Sequence, residues 1–544
     1  MEQNWTYKID CRNMETNQII DAILKDRGIK DFKSFFYPTE ENIIPFEKMK
    51  NIDEAAQVVI NAIDANMVFA VYYDVDLDGC SSGSIAEKWL KSHGINVVSV
   101  INNGKEHGVA HADLDILKNV DVLWIVDSIE SNIESYERII KNGIKHIVIT
   151  DHHIIEKSLQ KDMERTGKIT LVSSAVDYEN PELSGSGVTW KLCQYIDWLE
   201  LDDYSDDLTD LAACGIIGDM TSVGKDSMEN RYICYKGFNN RKNFAIEKIS
   251  GSYGFNSQSV SYSIAPLVNA ANRTNNNDLA KKVFSIEDEK EVKKIISELK
   301  QCKDIQNDEV SDLLLGIEEQ AQRQINNKVM FFIVDTYNDV KGLLGNKLIE
   351  KYKRPVIIVS IKTIIDEDTG EVEKMQYTGS ARAVGVENFK LIVDNTGLAE
   401  TGGHENAFGI WFDFDNMEEL SQKLEEELQN VEFVQNEVAD ILITEDQINN
   451  NLIDQIKKLN NISGKNWAPI KVMIKNVKNY EIGMMSGGKH LKLIANCGKL
   501  LYIKWNYRYD QFPGGEISVI GGLDSGFFGR TFYQQVIINN WKLE

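Results

Sequence analysis

The stretch Val68-Phe69-Ala70-Val71-Tyr72-Tyr73-Asp74-Val75-Asp76-Leu77-Asp78-Gly79-Cys80-Ser81-Ser82 begins as an apolar and aromatic run, long enough for one buried strand. It ends in three alternating aspartates, a glycine and two serines. Carboxylates have no place in a strand core, so the strand emerges at Asp74 and its acids crowd one small volume. Crowded carboxylates repel and are tolerated mainly where cations neutralise them. Gly79 permits a tight turn, and Ser81 or Ser82 is placed to cap a helix beginning near Ile85. Such strand ends are where ligands bind in open α/β sheets. Taken alone, the segment reads equally well as a solvated Asp-rich loop.

The following residues change that balance. Strands and helices alternate, the pattern of a mostly parallel α/β sheet. After Asn96 to Ile101 comes Val122-Leu123-Trp124-Ile125-Val126, ending at Asp127, and then His146 to Thr150, ending at Asp151-His152-His153. In a parallel sheet these ends share one edge, so Asp74, Asp76, Asp78, Asp127, His152 and His153 converge. The small-residue helix Leu211 to Gly218 presents Asp219. Alone Asp219 is a helix-end acid; with the others it completes a set. Mixed Asp and His ligands suit Mn²⁺ or Mg²⁺, and the absence of thiolates argues against structural zinc. The chemistry implied is two-metal hydrolysis. One carboxylate can bridge two ions about 3.5–4 Å apart, which activate a water and stabilise the leaving oxygen of a phosphodiester. Asp127, alone on its strand, is placed to bridge; His153, beside ligand His152, is placed to contact the phosphate.

The chain has 544 residues, enough for three or four domains, and its 42% hydrophobic content is that of an ordinary soluble protein. No apolar run approaches the ~20 residues that span a bilayer, and the first residues do not read as a signal peptide. Seven cysteines lie without paired spacing, as reduced thiols in a cytoplasmic protein would. A net charge of −25 argues against a general nucleic-acid coat protein. It leaves room for an enzyme holding nucleic acid through divalent metals and a local basic groove.

Residues 1–50 read as a lead-in of short helices around Ile19 to Leu24 and Phe32 to Phe36, and 51–235 as the catalytic domain. A Lys- and Glu-rich helical connector fills 236–328, and a second, smaller α/β unit fills 329–435, with strands at Val329 to Val334 and Pro355 to Ser360. That unit carries Thr378-Gly379-Ser380-Ala381-Arg382 and Gly402-Gly403-His404. Its glycines let backbone amides approach an anion, which Arg382 and His404 can bind. Phe412 to Asp446 reads as an acidic, largely helical connector. Five strand-like runs between Ile470 and Asn539 then suit a small β-barrel of OB type. Lys489, Lys492, Lys504, Trp505, Tyr507, Phe528 and Arg530 would supply cations and stacking faces, about half of the aromatics being core.

With Asp151-His152-His153 in place, the chain resembles the DHH phosphoesterase superfamily, and within it the RecJ-like single-strand-specific exonucleases. Asp74 to Gly79 resembles that family's Asp-x-Asp-x-Asp-Gly motif, Val126-Asp127 its second motif, and the helix ending at Asp219 its fourth. Leu183 to Val188 resembles its Gly-x-Gly-Val turn, and Ile264 to Arg273 its Ala-Pro-x-x-Asn-Ala-x-Gly-Arg segment, with Asn272 in place of a glycine. The resemblance implies that Asp74, Asp76, Asp78, Asp127, His152 and Asp219 hold two ions, Mn²⁺ or Mg²⁺. It implies that Ser81, Arg273, Ser380, Arg382, Gly402, Gly403 and His404 contact the substrate. The expected activity is 5′-to-3′ hydrolysis of single-stranded DNA to mononucleotides in repair and recombination, the strand running between two α/β lobes. A single-strand-binding protein is the expected partner of a chain read as a monomer, with no membrane contact. Two other readings are a phosphodiesterase of short oligonucleotides or cyclic dinucleotides, and a metal-free Cdc45-like replication scaffold. The chain departs from the family where Ser128-Ile129 follow Asp127 in place of x-Gly. It departs again where Asn102-Asn103 and His107-Gly108-Val109 stand in place of Asn-Arg and Gly-Tyr-Gly.

Overall fold

The computed structural model describes residues 4–102, 107–251, 254–336, 338–365, 372–433, 436–495, 498–528 and 530–544. It divides into two compact units, one of Trp5–Asn272, Asn276–Leu299 and Val438–Glu544, the other of Met1–Asn4, Arg273–Asn275 and Lys300–Glu437. After an N-terminal strand β1 (Trp5–Asp10), the first unit builds a parallel sheet from β2 (Phe69–Tyr73), β3 (Val97–Ile101), β4 (Val122–Val126), β5 (His146–Asp151) and β6 (Ile169–Ser173). The strand order is β3-β2-β4-β5-β6, and every ladder is parallel. Alternate residues enter two cores. Phe69, Val71, Tyr73, Trp124, Val126 and Val148 pack on one side; Ala70, Tyr72, Leu123, Ile125, Ile147 and Ile149 pack on the other. A sheet covered on both faces demands such unbroken apolar runs. β6, interrupted by Thr170, escapes that pattern in the sequence.

The helix after β2 starts earlier than expected. It spans Leu77–Ser92, capped by Asp76, whose side chain accepts the Gly79 amide at 3.0 Å. Ser81 and Ser82 are therefore inside the helix and buried, not caps. Gly79 serves close approach instead of a turn, since a Cβ there would lie 2.5 Å from Asp74 Cβ. The chain folds back tightly enough over its own strand that a helix N-terminus, and not a loop, carries the acids.

The second unit holds β7 (Met330–Ile333), β8 (Val356–Ile365), β9 (Val372–Arg382), β10 (Glu400–His404) and β11 (Ala407–Asp413), ordered β10-β11-β9-β8-β7. Helix Lys341–Tyr352 packs on one face through Leu344 and Leu348, while Phe389, Val393, Leu420 and Leu424 fill the other.

Phe412 to Asp446 is not only a helical connector. It contains helix Met417–Glu427, but also strand β12 (Glu437–Ile443), which is buried from Ala439 to Ile443. Flanking acids hide the short apolar run in the sequence, and Asp440 within it is answered by Arg27 at 2.9 Å. β12 pairs with β13 (Val472–Val477) in an eight-stranded sheet of the first unit, completed by β14 (Glu481–Met485), β15 (His490–Ala495), β16 (Leu500–Lys504), β17 (Ile517–Phe528) and β18 (Thr531–Leu543). The order is β1-β12-β13-β17-β18-β16-β15-β14, so the lead-in contributes an edge strand that the sequence did not announce. Among the described residues no ladder joins β13 to β14. No helix of the described residues is long and apolar enough to cross a membrane. Six cysteines are free and buried, and Cys497 lies outside the described residues.

Candidate metal centre

The carboxyl ends of β2, β4 and β5 bring the acids and imidazoles together. Asp127 Oδ1 lies 3.2 Å from His152 Nε2, which is 3.6 Å from Asp219 Oδ2 and 3.9 Å from Asp78 Oδ2. Ligand atoms of Asp74, Asp76 and Asp127 lie within 4.8 Å of one another, as do those of Asp78, His152 and Asp219, and of Asp127, His152 and His153. Asp127 and His152 thus sit where two donor groups meet. Asp127 adopts a left-handed backbone (φ 53°), its amide donating to Thr150 O at 2.9 Å. The altered residues after Asp127 accompany that turn.

Close packing admits only glycine around these acids. A Cβ at Gly185 would lie 2.6 Å from Asp127 Oδ1, and one at Gly215 would lie 2.0 Å from Asp78 Oδ1. Asp78 is fastened to the N-terminus of helix Gly185–Glu200: the amides of Gly185 and Ser186 donate to it at 2.7 and 3.0 Å, and Ser184 Oγ at 3.0 Å. A helix N-terminus favours a carboxylate there.

Burial first, and then the neighbouring charges of Asp74 and Asp78, push Asp76 up to about 7. Asp219 rises to about 7 through burial and the charge of Asp78, and Asp127 goes well above its usual range through burial, Asp78 and Asp76. Such a set cannot hold its charge without a counter-ion. Asp74 Oδ1 and Asp127 Oδ1 are buried without a hydrogen-bond partner, as is Ser81 Oγ. Orphaned carboxylate oxygens between imidazoles, with no thiolate, fit hard divalent ions such as Mn²⁺ or Mg²⁺.

Asp151, absent from the expected ligand set, has a different task. It accepts the amides of His152 (2.6 Å), His153 (2.7 Å) and Ile129 (2.8 Å), and His153 Nδ1 donates to it at 2.8 Å. Burial would raise Asp151, but the His153 hydrogen bond and charge outweigh it and hold the carboxyl down to about 2. Burial would likewise lower His153, yet Asp151 lifts it to about 9. This favours the charged form of His153, whose ring is partly exposed. The loop residue His107 also enters the centre, its Nδ1 3.2 Å from Asp74 Oδ1. Nothing periodic in the sequence around it signals this.

In the second unit, strand register arranges the expected substrate contacts. Gly402 pairs with Gly409 and Gly409 with Ser380; His404 pairs with Ala407 and Ala407 with Arg382. Side chains of paired residues share a face, so Ser380, Arg382, Gly402 and His404 lie on one face and Gly403 on the other. Helix Lys341–Tyr352 passes so near that a Cβ at Gly342 would lie 2.6 Å from Arg382 Nη2. Arg382 Nε donates to Asn346 Oδ1 at 3.1 Å. Arg273, in the same unit, donates to Gln306 Oε1 at 3.3 Å, and its guanidinium is lowered by burial and by Arg382. On the C-terminal sheet, Trp505 is exposed, whereas Tyr507 packs against Trp541 at 6.0 Å. The Phe528 side chain and Asn103 lie outside the described residues.

Comparison with known proteins gives this arrangement a class. Residues 68–216 match the model of the DHH family, N-terminal domain. The chain as a whole resembles the RecJ exonucleases. It is 29% identical over 458 residues to the SPbeta prophage-derived YorK of Bacillus subtilis (strain 168), which carries the description of a single-strand DNA-specific exonuclease, and covers 76% of each chain. It is 25% identical to the single-stranded-DNA-specific exonuclease RecJ of the same organism, over 96% of this chain and 68% of the relative. Its fold is similar to that of RecJ from Thermus thermophilus in complex with Mn²⁺, with a TM-score of 0.78 at 18% identity, covering 99% of this chain and 80% of that one.

Proposed function

We propose that the chain is a Mn²⁺- or Mg²⁺-dependent exonuclease that hydrolyses single-stranded DNA from its 5′ end to mononucleotides. The observation that carries this reading is a run of linked donor groups: Asp74 and Asp76 meet His152 and His153 at Asp127, and His152 is shared in turn with Asp78 and Asp219. The names of the relatives point to the same substrate.

Asp74, Asp76 and Asp127 would hold one ion, and Asp78, His152 and Asp219, with Asp127 shared, the second. Bound there, the ions lower the pKa of a water and neutralise charge on the phosphodiester. The chain's own residues do the rest. Asp151 holds His153 by its Nδ1, and the other ring nitrogen, Nε2, would donate to a phosphate oxygen. The helix amides on Asp78 hold that carboxylate in one orientation. In the second unit Ser380, Arg382, Gly402 and His404 grip the backbone of the strand, with Arg273 adding a cation. Nearly all of these contacts read phosphate and carry no sequence information.

The strand order β13-β17-β18-β16-β15-β14 supports reading the C-terminal sheet as an OB barrel whose first strand is broken into β13 and β14. Trp505 then stacks bases of a single strand. A role in DNA repair and recombination, in the cytoplasm and as a monomer, completes this reading, with a single-strand-binding protein as partner.

The test uses single strands labelled separately at each end, incubated with Mn²⁺ or Mg²⁺, comparing wild type with Asp127→Ala. Mononucleotides appear first from the 5′ label and only with wild type. Release first from the 3′ label contradicts the polarity. Cleavage confined to very short oligomers marks an oligonucleotide phosphodiesterase, and binding without cleavage, unchanged in the variant, marks a scaffold.

A further inference from the structure

The two places where the sequence departs from the RecJ-like pattern meet in space. Gly108 donates its amide to Ser128 Oγ at 3.0 Å, and its carbonyl accepts from Asn102 Nδ2 at 2.8 Å. The Ala110 amide is held by Glu130 Oε2 at 3.0 Å. Gly108 has φ 81° and lies so near Glu130 that a Cβ would stand 2.6 Å from its Oε2. Gly108, next to His107, is therefore held on its amide by Ser128, which follows Asp127, and on its carbonyl by Asn102.

This pinning points His107 into the centre. Its Nδ1 lies 3.2 Å from the buried Asp74 Oδ1, and its ring stands edge-on to His153 at 4.7 Å. Two donors bound at right angles to one ion, each about 2.1 Å from it, stand about 3 Å apart. The His107–Asp74 spacing is that of neighbouring ligands. The side chain is 39% exposed, so a hydrated ion can reach it.

We propose that His107 is a ligand of the divalent ion held by Asp74, Asp76 and Asp127, an assignment that rests on the two-ion reading of the centre. It turns an all-carboxylate site into one with three carboxylates and an imidazole. Mg²⁺ takes oxygen ligands and retains its waters, so an imidazole nitrogen shifts the site towards Mn²⁺.

The test compares wild type, His107→Ala, His107→Asn and Asp127→Asn by calorimetric titration with Mn²⁺ and with Mg²⁺, and by pulsed electron paramagnetic resonance of nitrogen coupling to bound Mn²⁺. Asn keeps a hydrogen-bond donor for Asp74 but offers no imidazole. Both His107 variants should lose affinity for one of two Mn²⁺ ions by about tenfold or more. One of the two nitrogen couplings should vanish, Mg²⁺ affinity should change far less, and metal-free melting should be retained. Wild-type Mn²⁺ binding in His107→Asn would reduce His107 to a hydrogen-bonding partner of Asp74, and wild-type binding in both variants would leave it no part. Two ions bound by wild type and lost in Asp127→Asn would uphold the two-ion reading even then. Wild type binding no Mn²⁺ would sink that reading, and the ligand assignment with it.

Discussion

Asp127 combines a left-handed backbone with a buried oxygen that has no hydrogen-bond partner, and burial first, then the charges of Asp78, Asp76, Asp151 and Asp74, push its proton affinity up. A left-handed residue that is not glycine costs about 1–2 kcal/mol, so the local fold favours neither its conformation nor its charge. Asp127→Asn is therefore expected to leave the metal-free protein equally or more heat-stable, while cutting activity by at least about a hundredfold. Melting curves and rates measured on one preparation check both. The raised pKa values carry a pH dependence. Asp76 and Asp219 titrate near 7 in the folded chain, against 3.8 ordinarily, so their contribution is present at low pH and is lost as pH rises through about 7. His153, raised to about 9, loses its own contribution in the same direction at higher pH. Metal-free protein should melt lower at about pH 8 than at about pH 5, and Mn²⁺ should raise the melting temperature more at the higher pH. An unchanged response across that range would contradict the crowding. At this scale the sequence was readable wherever an apolar run ended abruptly in an acid. Asp151 was legible as such a strand end, but neither its hold on His153 nor the place of His107 was, because these depend on backbone amides and on a loop path that composition does not encode.

At the scale of elements, helix packing decides how rigid the centre is. Gly215 on the helix ending at Gly218 leaves room for Asp78 and Ser186, whose atoms would both lie 2.0 Å from a Cβ. Gly215→Ala should overpack this contact, costing about 1–3 kcal/mol of stability and weakening Mn²⁺ binding, as chemical denaturation and metal titration would show. Away from the centre, Lys191 and Glu229 form a buried pair at 2.7 Å, with Tyr178 also donating to Glu229 at 2.8 Å. Glu229→Ala should cost about 3–5 kcal/mol by leaving the ammonium buried and unpaired, with metal affinity in the surviving folded protein unchanged. Elements with strong periodicity or continuous apolar runs, such as β2, β4, β5 and the connector helix Glu289–Gly316, were legible in the sequence. β1 and β12 were not. Their short runs are broken by charges, and only pairing with distant strands makes them strands.

At the scale of the whole molecule, a chain of net charge −25 gathers Ser380, Arg382 and His404 on one sheet face of the second unit. Phosphate contacts are salt-dependent, each released counter-ion adding to the slope. Arg382→Ala should weaken single-strand binding about equally across sequences and lower the salt slope by about 1, measurable by fluorescence anisotropy over a series of salt concentrations. The strand–helix alternation of the first sheet and the late run of strands could be read from turn spacing and apolar patterning. Which residues the two compact units share out, such as Arg273 falling with residues 300–437, could not, because that depends on long-range packing. The proposed chemistry requires two ions meeting at Asp127. Its most direct test is a crystal of the full chain grown with Mn²⁺ and measured at the manganese absorption edge. Two anomalous peaks about 3.5–4 Å apart, with the Asp127 carboxylate between them, are the predicted result. A single peak, or two that Asp127 does not touch, would contradict it.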